Sequence, residues 1–133
     1  EKLAGLIEFS CSSALKPEDF LEYAVFLGEP DFLLFTGPDR VYWYLILPQG
    51  PDRMILHTTL LVHPDSLDLD NYSEKLDRAT EQLKEFHLED MEVCTAVQAG
   101  MGSQSYRPGP LGPLEMPIWQ FQRYLARRIQ QAG

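Results

Sequence analysis

Apolar and polar positions alternate along the first half of the chain and recur at steps of three and four along the second. Ile7-Glu8-Phe9-Ser10-Cys11 has a period of two, which predicts a half-buried strand. Asp31-Phe32-Leu33-Leu34-Phe35, residues 40–47 and residues 53–62 are rich in aromatic and aliphatic side chains and read as further strands. Residues 14–27 carry two signals. Pro17-Glu18-Asp19 has the form of a helix start, whereas Tyr23-Ala24-Val25-Phe26-Leu27 has the composition of a strand.

One tetrapeptide occurs twice, as Gly37-Pro38-Asp39-Arg40 and as Gly50-Pro51-Asp52-Arg53, each time between strand-like runs. Proline presets φ for the first central position of a turn, and aspartate suits the second. Both copies are therefore expected to be hairpin turns joining antiparallel neighbours, which gives three or four adjacent strands.

The second half turns helical. Pro64-Asp65-Ser66 breaks the last strand, and Asn71 or Ser73 can cap a helix on which Tyr72, Leu76, Ala79, Leu83 and Phe86 form one stripe. His87 falls between this helix and a second stretch, opened by Glu89-Asp90, with Leu88, Met91, Cys94, Val97 and Met101 on one face. Gly100 and Gly102 loosen its end, and residues 103–112 form a loop containing Pro108 and Pro110. A last helix starts near Pro113-Leu114-Glu115 and carries Leu114, Ile118, Phe121, Leu125 and Ile129 on one side. Strands followed by helices predict an α+β fold, with an antiparallel β-sheet packed against C-terminal helices. A concave site between such layers is a usual place for a ligand, and Trp43 and Tyr44 are candidates to line it.

Composition narrows the function classes. At 133 residues, the chain is expected to form a single domain over residues 1–133. A net charge of −9 argues against a nucleic-acid partner and against attraction to an anionic membrane. The charge is uneven: from Gly100 onward the only acid is Glu115, against Arg107, Arg123, Arg127 and Arg128. That cationic end reads either as a solvated helix terminus or as a subunit contact. No apolar run approaches the roughly 20 residues that span a bilayer. Glu1-Lys2-Leu3-Ala4-Gly5 lacks the apolar core of a signal peptide, and the missing initial Met fits a portion of a longer protein. Cys11 and Cys94 form no C-x-x-C pair, which fits a reducing, cytoplasmic setting and excludes a cysteine-rich metal cluster within the chain.

Few residues offer chemistry. His57 and His63 share a strand face but stand about 20 Å apart in extended chain, too far to hold one metal. Asp90 is either a helix-start acid stabilised by the dipole or a hard oxygen ligand to a divalent metal. No nucleophile elbow, Walker loop or dinucleotide fingerprint is present.

The stretch from Glu89-Asp90 through Val97-Gln98-Ala99-Gly100-Met101-Gly102-Ser103 resembles a segment of Rieske-type ring-hydroxylating oxygenase large subunits. Tyr106, Gly109, Leu111 and Glu115 continue that family's S-x-x-Y-x-x-G-x-L-x-x-x-E pattern, and Trp119 to Leu125 is similar to its closing helix. Upstream, Pro48-Gln49-Gly50-Pro51-Asp52-Arg53 resembles its P-x-G-P-x-R hairpin. The resemblance covers about residues 40–130 and identifies the chain with the C-terminal part of the catalytic domain.

The resemblance implies a helix-grip (START-like) architecture and a mononuclear non-haem Fe(II) held by two histidines and one aspartate, with Asp90 in the aspartate's place. It further implies a Rieske [2Fe–2S] cluster on an upstream domain, a reductase or ferredoxin that supplies electrons, and a homo-oligomer. The reaction would be O2-dependent hydroxylation or demethylation of a small aromatic or quaternary-amine substrate. The family's H-x4-H iron motif and its Rieske C-x-H and C-x-x-H motifs do not occur in this chain, so the chain alone is expected to be inactive. Two other readings stand beside this one. A stand-alone helix-grip domain would bind a small apolar ligand without metal, and an assembly module would use the cationic C-terminal helix.

Overall fold

The computed structural model describes residues 7–133, and the Glu1-Lys2-Leu3-Ala4-Gly5 opening lies outside them. A short 3-10 helix, Pro17–Leu21, precedes four strands: β1 (Ala24–Gly28), β2 (Phe32–Thr36), β3 (Arg40–Pro48) and β4 (Met54–Val62). Both signals in residues 14–27 are thus realised in succession. A second 3-10 turn, Pro64–Asp68, leads into the long helix α1 (Tyr72–Met101), and a third, Pro113–Glu115, leads into α2 (Met116–Ala132). The sheet is wholly antiparallel in the order β1-β2-β3-β4. The architecture is therefore α+β, a sheet with helices after it, consistent with the helix-grip kind. No helix among the described residues is long and apolar enough to cross a membrane.

Both Gly-Pro-Asp-Arg copies are hairpin turns, linking β2 to β3 and β3 to β4. They close differently. The Gly37 N–H donates to the Arg40 carbonyl at 2.9 Å, whereas the Gln49 N–H reaches the Arg53 carbonyl at 2.8 Å. Only the second needs left-handed backbone, with Gly50 at φ 129°.

Side chains alternate across the sheet. Tyr42, Tyr44, Thr58 and Leu60 turn toward α1, while Trp43, His57 and Thr59 turn away. Trp43 and Tyr44 therefore cannot line one pocket: Tyr44 is buried at 9% exposure, and Trp43, packed edge-on to Phe32, is 44% exposed on the outer face.

Three further expectations are corrected. Residues 7–11 form no strand, although their pattern alternates. Side chains take up their backbone N–H groups instead: the N–H groups of Glu8 and Phe9 donate to Asp39 Oδ2 at 2.8 and 3.1 Å, and that of Ser10 donates to Ser66 Oγ at 3.0 Å. The Lys75 ammonium donates to the Glu8 carbonyl, which fixes the same segment to α1.

The second correction concerns the helices. Residues 72–101 form one helix of 30 residues, so His87 is not a break and Glu89-Asp90 do not open a new helix. The covered stripe runs through Tyr72, Leu76, Ala79 and Leu83 to His87, while Phe86 is 59% exposed. A polar residue continues the stripe, which is why the apolar period misses it.

Third, Leu88, Met91, Cys94 and Val97 do not pack under the sheet, since residues 88–101 are all exposed. Length is part of the reason. At about 1.5 Å per residue α1 is roughly 45 Å long, whereas β3 at about 3.3 Å per residue is roughly 30 Å, so the helix outruns the sheet.

On α2 two of the three arginines lie over aromatics of their own helix. The Arg123 guanidinium is 4.6 Å from the Trp119 ring centroid, and that of Arg128 is 5.9 Å from Tyr124.

Candidate functional site

α1 runs along β3 in matched steps. Two strand residues advance about 6.6 Å, and four or five helical residues advance about 6–7.5 Å. Arg40, Tyr42 and Tyr44 thus stand against Arg78, Gln82 and His87 in turn. Each level of the groove has its own chemistry.

The first level is an ion-pair cluster. Arg40 donates to Asp39 from Nε at 3.0 Å and from Nη2 at 2.9 Å, a two-pronged grip. Its Nη1 lies 3.2 Å from the Glu8 carboxylate, which Arg78 approaches from α1 at 3.5 Å. The Arg40 guanidinium also covers the Phe9 ring at 5.1 Å, and Phe9 meets Tyr72 edge-on at 6.3 Å. Burial would raise the Asp39 carboxyl, but the bonds from Arg40, Glu8 and Phe9 outweigh it and hold the group below the ordinary carboxylate range.

At the second level the groove opens into a cavity of about 260 Å³, lined by Tyr23, Phe35, Tyr42 and Gln82 together with the charged Glu8, Asp39 and Arg40. Phe35 and Tyr42 are paired across β2 and β3, with ring centroids 6.2 Å apart.

The third level lies beyond the residues that line the cavity. The His87 ring lies 5.3 Å from the Tyr44 ring, and His87 Nε2 is 3.4 Å from Thr58 Oγ1. Tyr44 and Thr58 are register partners, so one helix side chain touches two adjacent strands, β3 and the edge strand β4. Burial first, then the charges of Tyr42 and Asp90, push the Tyr44 phenol above its ordinary value. Asp90 lies about one helical turn past His87, at the start of the exposed stretch of α1, and its charge is felt at Tyr44.

The mid-helix position removes the reading of Asp90 as a helix-start acid. His57 and His63 are not brought to it. His57 is exposed on the outer sheet face, and His63 Nδ1 accepts from the Asp65 N–H at 3.3 Å at the turn before α1. Cys11 and Cys94 are both free thiols, and burial raises Cys11. Among the described residues no group of three or more His, Cys, Asp or Glu side chains could hold a metal. Sequence reasoning missed His87 and Thr58. The available signal was the three-residue spacing from His87 to Asp90, which puts both on one helix face.

No solved structure matches the chain. The family described as ring hydroxylating alpha subunit (catalytic domain) matches residues 11–131. That match takes in β1–β4, α1 and nearly all of α2, together with every level of the groove except its Glu8–Phe9 edge, and the chain accordingly belongs to the ring-hydroxylating alpha-subunit family, within its catalytic domain.

Proposed function

We propose that the chain is one domain of a cytoplasmic oxygenase in which Asp90 is the carboxylate ligand of a mononuclear non-haem iron. Membership of the family carries oxygenase function in general. The position of Asp90 supports the finer reading: it sits well inside α1, three residues beyond His87, where no helix-end role accounts for it. The described residues supply one such ligand and not a complete set. In this reading the histidine ligands come from other residues of the oxygenase. The iron would activate O2 with electrons passed from a reductase or ferredoxin through a Rieske cluster. This chain's part is to hold the carboxylate on a rigid helix and to wall the groove with Tyr44, His87 and Thr58. The substrate is a small organic molecule, aromatic or a quaternary amine, that is hydroxylated or demethylated, and the enzyme works as a homo-oligomer.

The test is Asp90→Ala in the oxygenase that carries this chain, with metal analysis and circular dichroism side by side. Loss of bound iron with unchanged helix content is expected. Iron at the wild-type level would end the assignment.

A second reading, a helix-grip domain that binds a small apolar molecule without metal, would use the cavity of about 260 Å³, where Tyr23, Phe35 and Tyr42 stand beside Glu8, Asp39 and Arg40. The melting temperature of the intact protein that carries this chain, with and without Fe(II), separates the two, since ligands that bind only the folded state raise it. A melting temperature indifferent to iron selects the second reading.

A further inference from the structure

We propose that the acidic outer face of α1 and the arginine face of α2 form a contact between copies of this chain, with α2 of one copy lying on α1 of the next. The inference deepens the homo-oligomer reading by naming its surface. Charge is segregated between the two helices. In the first part of α1 acids are answered on the same helix: Arg78 Nη2 meets Glu74 at 3.3 Å, and Lys84 meets Glu81 at 3.2 Å. From Glu85 to Met101, however, α1 carries Glu85, Glu89, Asp90 and Glu92 and no Lys or Arg. α2 is the reverse, with Arg123, Arg127 and Arg128 and no acid. Among the described residues no ion pair engages Glu85, Glu89, Arg123 or Arg127.

The two charged rows also match in pitch. Glu85 and Glu89 are four residues apart, as are Arg123 and Arg127, so each pair spans about 6 Å along its helix axis. Helices laid side by side can therefore set both arginines against both glutamates. Glu92 continues the acidic row by one further turn, and all three glutamates are exposed, on the side of α1 away from the Leu83–His87 stripe that meets the sheet.

Large apolar side chains stand uncovered beside both rows. Phe86, Leu88 and Val93 next to the glutamates are each more than half exposed, and Met116 and Trp119, which precede Arg123 at helical spacing, are exposed as well. The chain exposes 10682 Å² of surface, against about 7,100 Å² for a compact monomer of this mass. The excess is larger than the about 800 Å² that each partner gives to an interface of standard size. Apolar contact supplies the burial, and the charges choose the partner and the register. Within one chain both faces stay exposed, so α2 does not cover its own α1. Every copy offers one face of each sign, and a second copy answers them.

The experiment is sedimentation of the intact protein that carries this chain, with charge reversals on either face. One variant combines Arg123→Glu with Arg127→Glu, and a second combines Glu85→Lys with Glu89→Lys. Each should weaken self-association about tenfold or more, because like charges then face each other. A third variant carries all four reversals in one chain, which restores opposite signs across the contact. It should associate within about threefold of the wild type, a recovery that a misfolded protein would not make. Circular dichroism checks the helix content of all three. Two results overturn the surface and leave the homo-oligomer: a wild-type oligomer indifferent to both reversals, as when other residues of the longer protein cover these faces, or association lost in both and not regained with all four. A wild type that sediments as a single copy removes the homo-oligomer reading and the surface together.

Discussion

The imidazole of His87 lies 5.3 Å from the Tyr44 ring with the two planes 37° apart, joining the middle of α1 to the central strand β3. The ion-pair cluster around Glu8 and Arg40 ties the groove at one end. At the other end, beyond His87, the helix is exposed. Tyr44 is therefore the last buried anchor between the layers, and its packing carries more of the helix-to-sheet adhesion than its polar group does.

Tyr44→Ala should accordingly cost about 3 kcal/mol of unfolding free energy, in the range for deletion of a buried aromatic ring. Tyr44→Phe keeps the ring and should cost less than about 1 kcal/mol. Urea denaturation of the two variants measures the difference. Equal losses would show that the phenol oxygen, not the ring, is the anchor.

The two Gly-Pro-Asp-Arg turns give a matched comparison within one molecule. Asp39 is 5% exposed and accepts from the Arg40 guanidinium and from two backbone N–H groups. Asp52 approaches Arg53 only at 4.0 Å, with both side chains largely in water. Asp39→Ala should destabilise by about 3 kcal/mol, because it leaves two backbone N–H groups without their acceptor and takes from the half-buried Arg40 guanidinium one of its carboxylate partners. Asp52→Ala should change stability by less than about 0.5 kcal/mol. Similar losses at both sites, measured in the same denaturant series, would mean that the aspartate serves the turn itself rather than the cluster.

These sites also mark how far the sequence could be read. Both turns were legible because proline and aspartate act locally on the backbone. Their opposite fates were not, since Asp39 is buried by Glu8 and Phe9, some thirty residues earlier in the chain. Residues 7–11 misled for the same reason. Alternation describes a surface that is covered on one side, and Asp39 and Ser66 side chains can take the place of a neighbouring strand. The four strands of the sheet were visible in composition and spacing. The break placed at His87 was an error of the binary pattern, which registers a histidine as polar even where it faces Tyr44. Correcting that one residue merges two helices into α1, moves Asp90 from a helix start to a helix middle, and exposes the His87–Asp90 pair as neighbours.

Asp39 further gives folding an acid dependence of definite sign. Burial pushes its carboxyl up, but the Arg40 fork and the N–H groups of Glu8 and Phe9 hold it below its ordinary value of 3.8. The unfolded chain therefore takes up this proton more readily than the folded one. The stabilisation is fully present above the ordinary carboxylate value and is lost as pH falls through the lower, folded value. Burial would lower the Arg40 pKa, but Asp39 and Tyr42 raise it, so Arg40 stays charged throughout and only the carboxylate changes. Asp39→Asn has no proton to gain at this position. Near neutral pH it should be less stable than the wild type, and the gap should close as the pH is lowered from about 5 to about 3. Urea midpoints for both proteins across that range provide the measurement. A gap that stays constant or widens toward low pH would place the acid sensitivity on other carboxylates and remove Asp39 from that role.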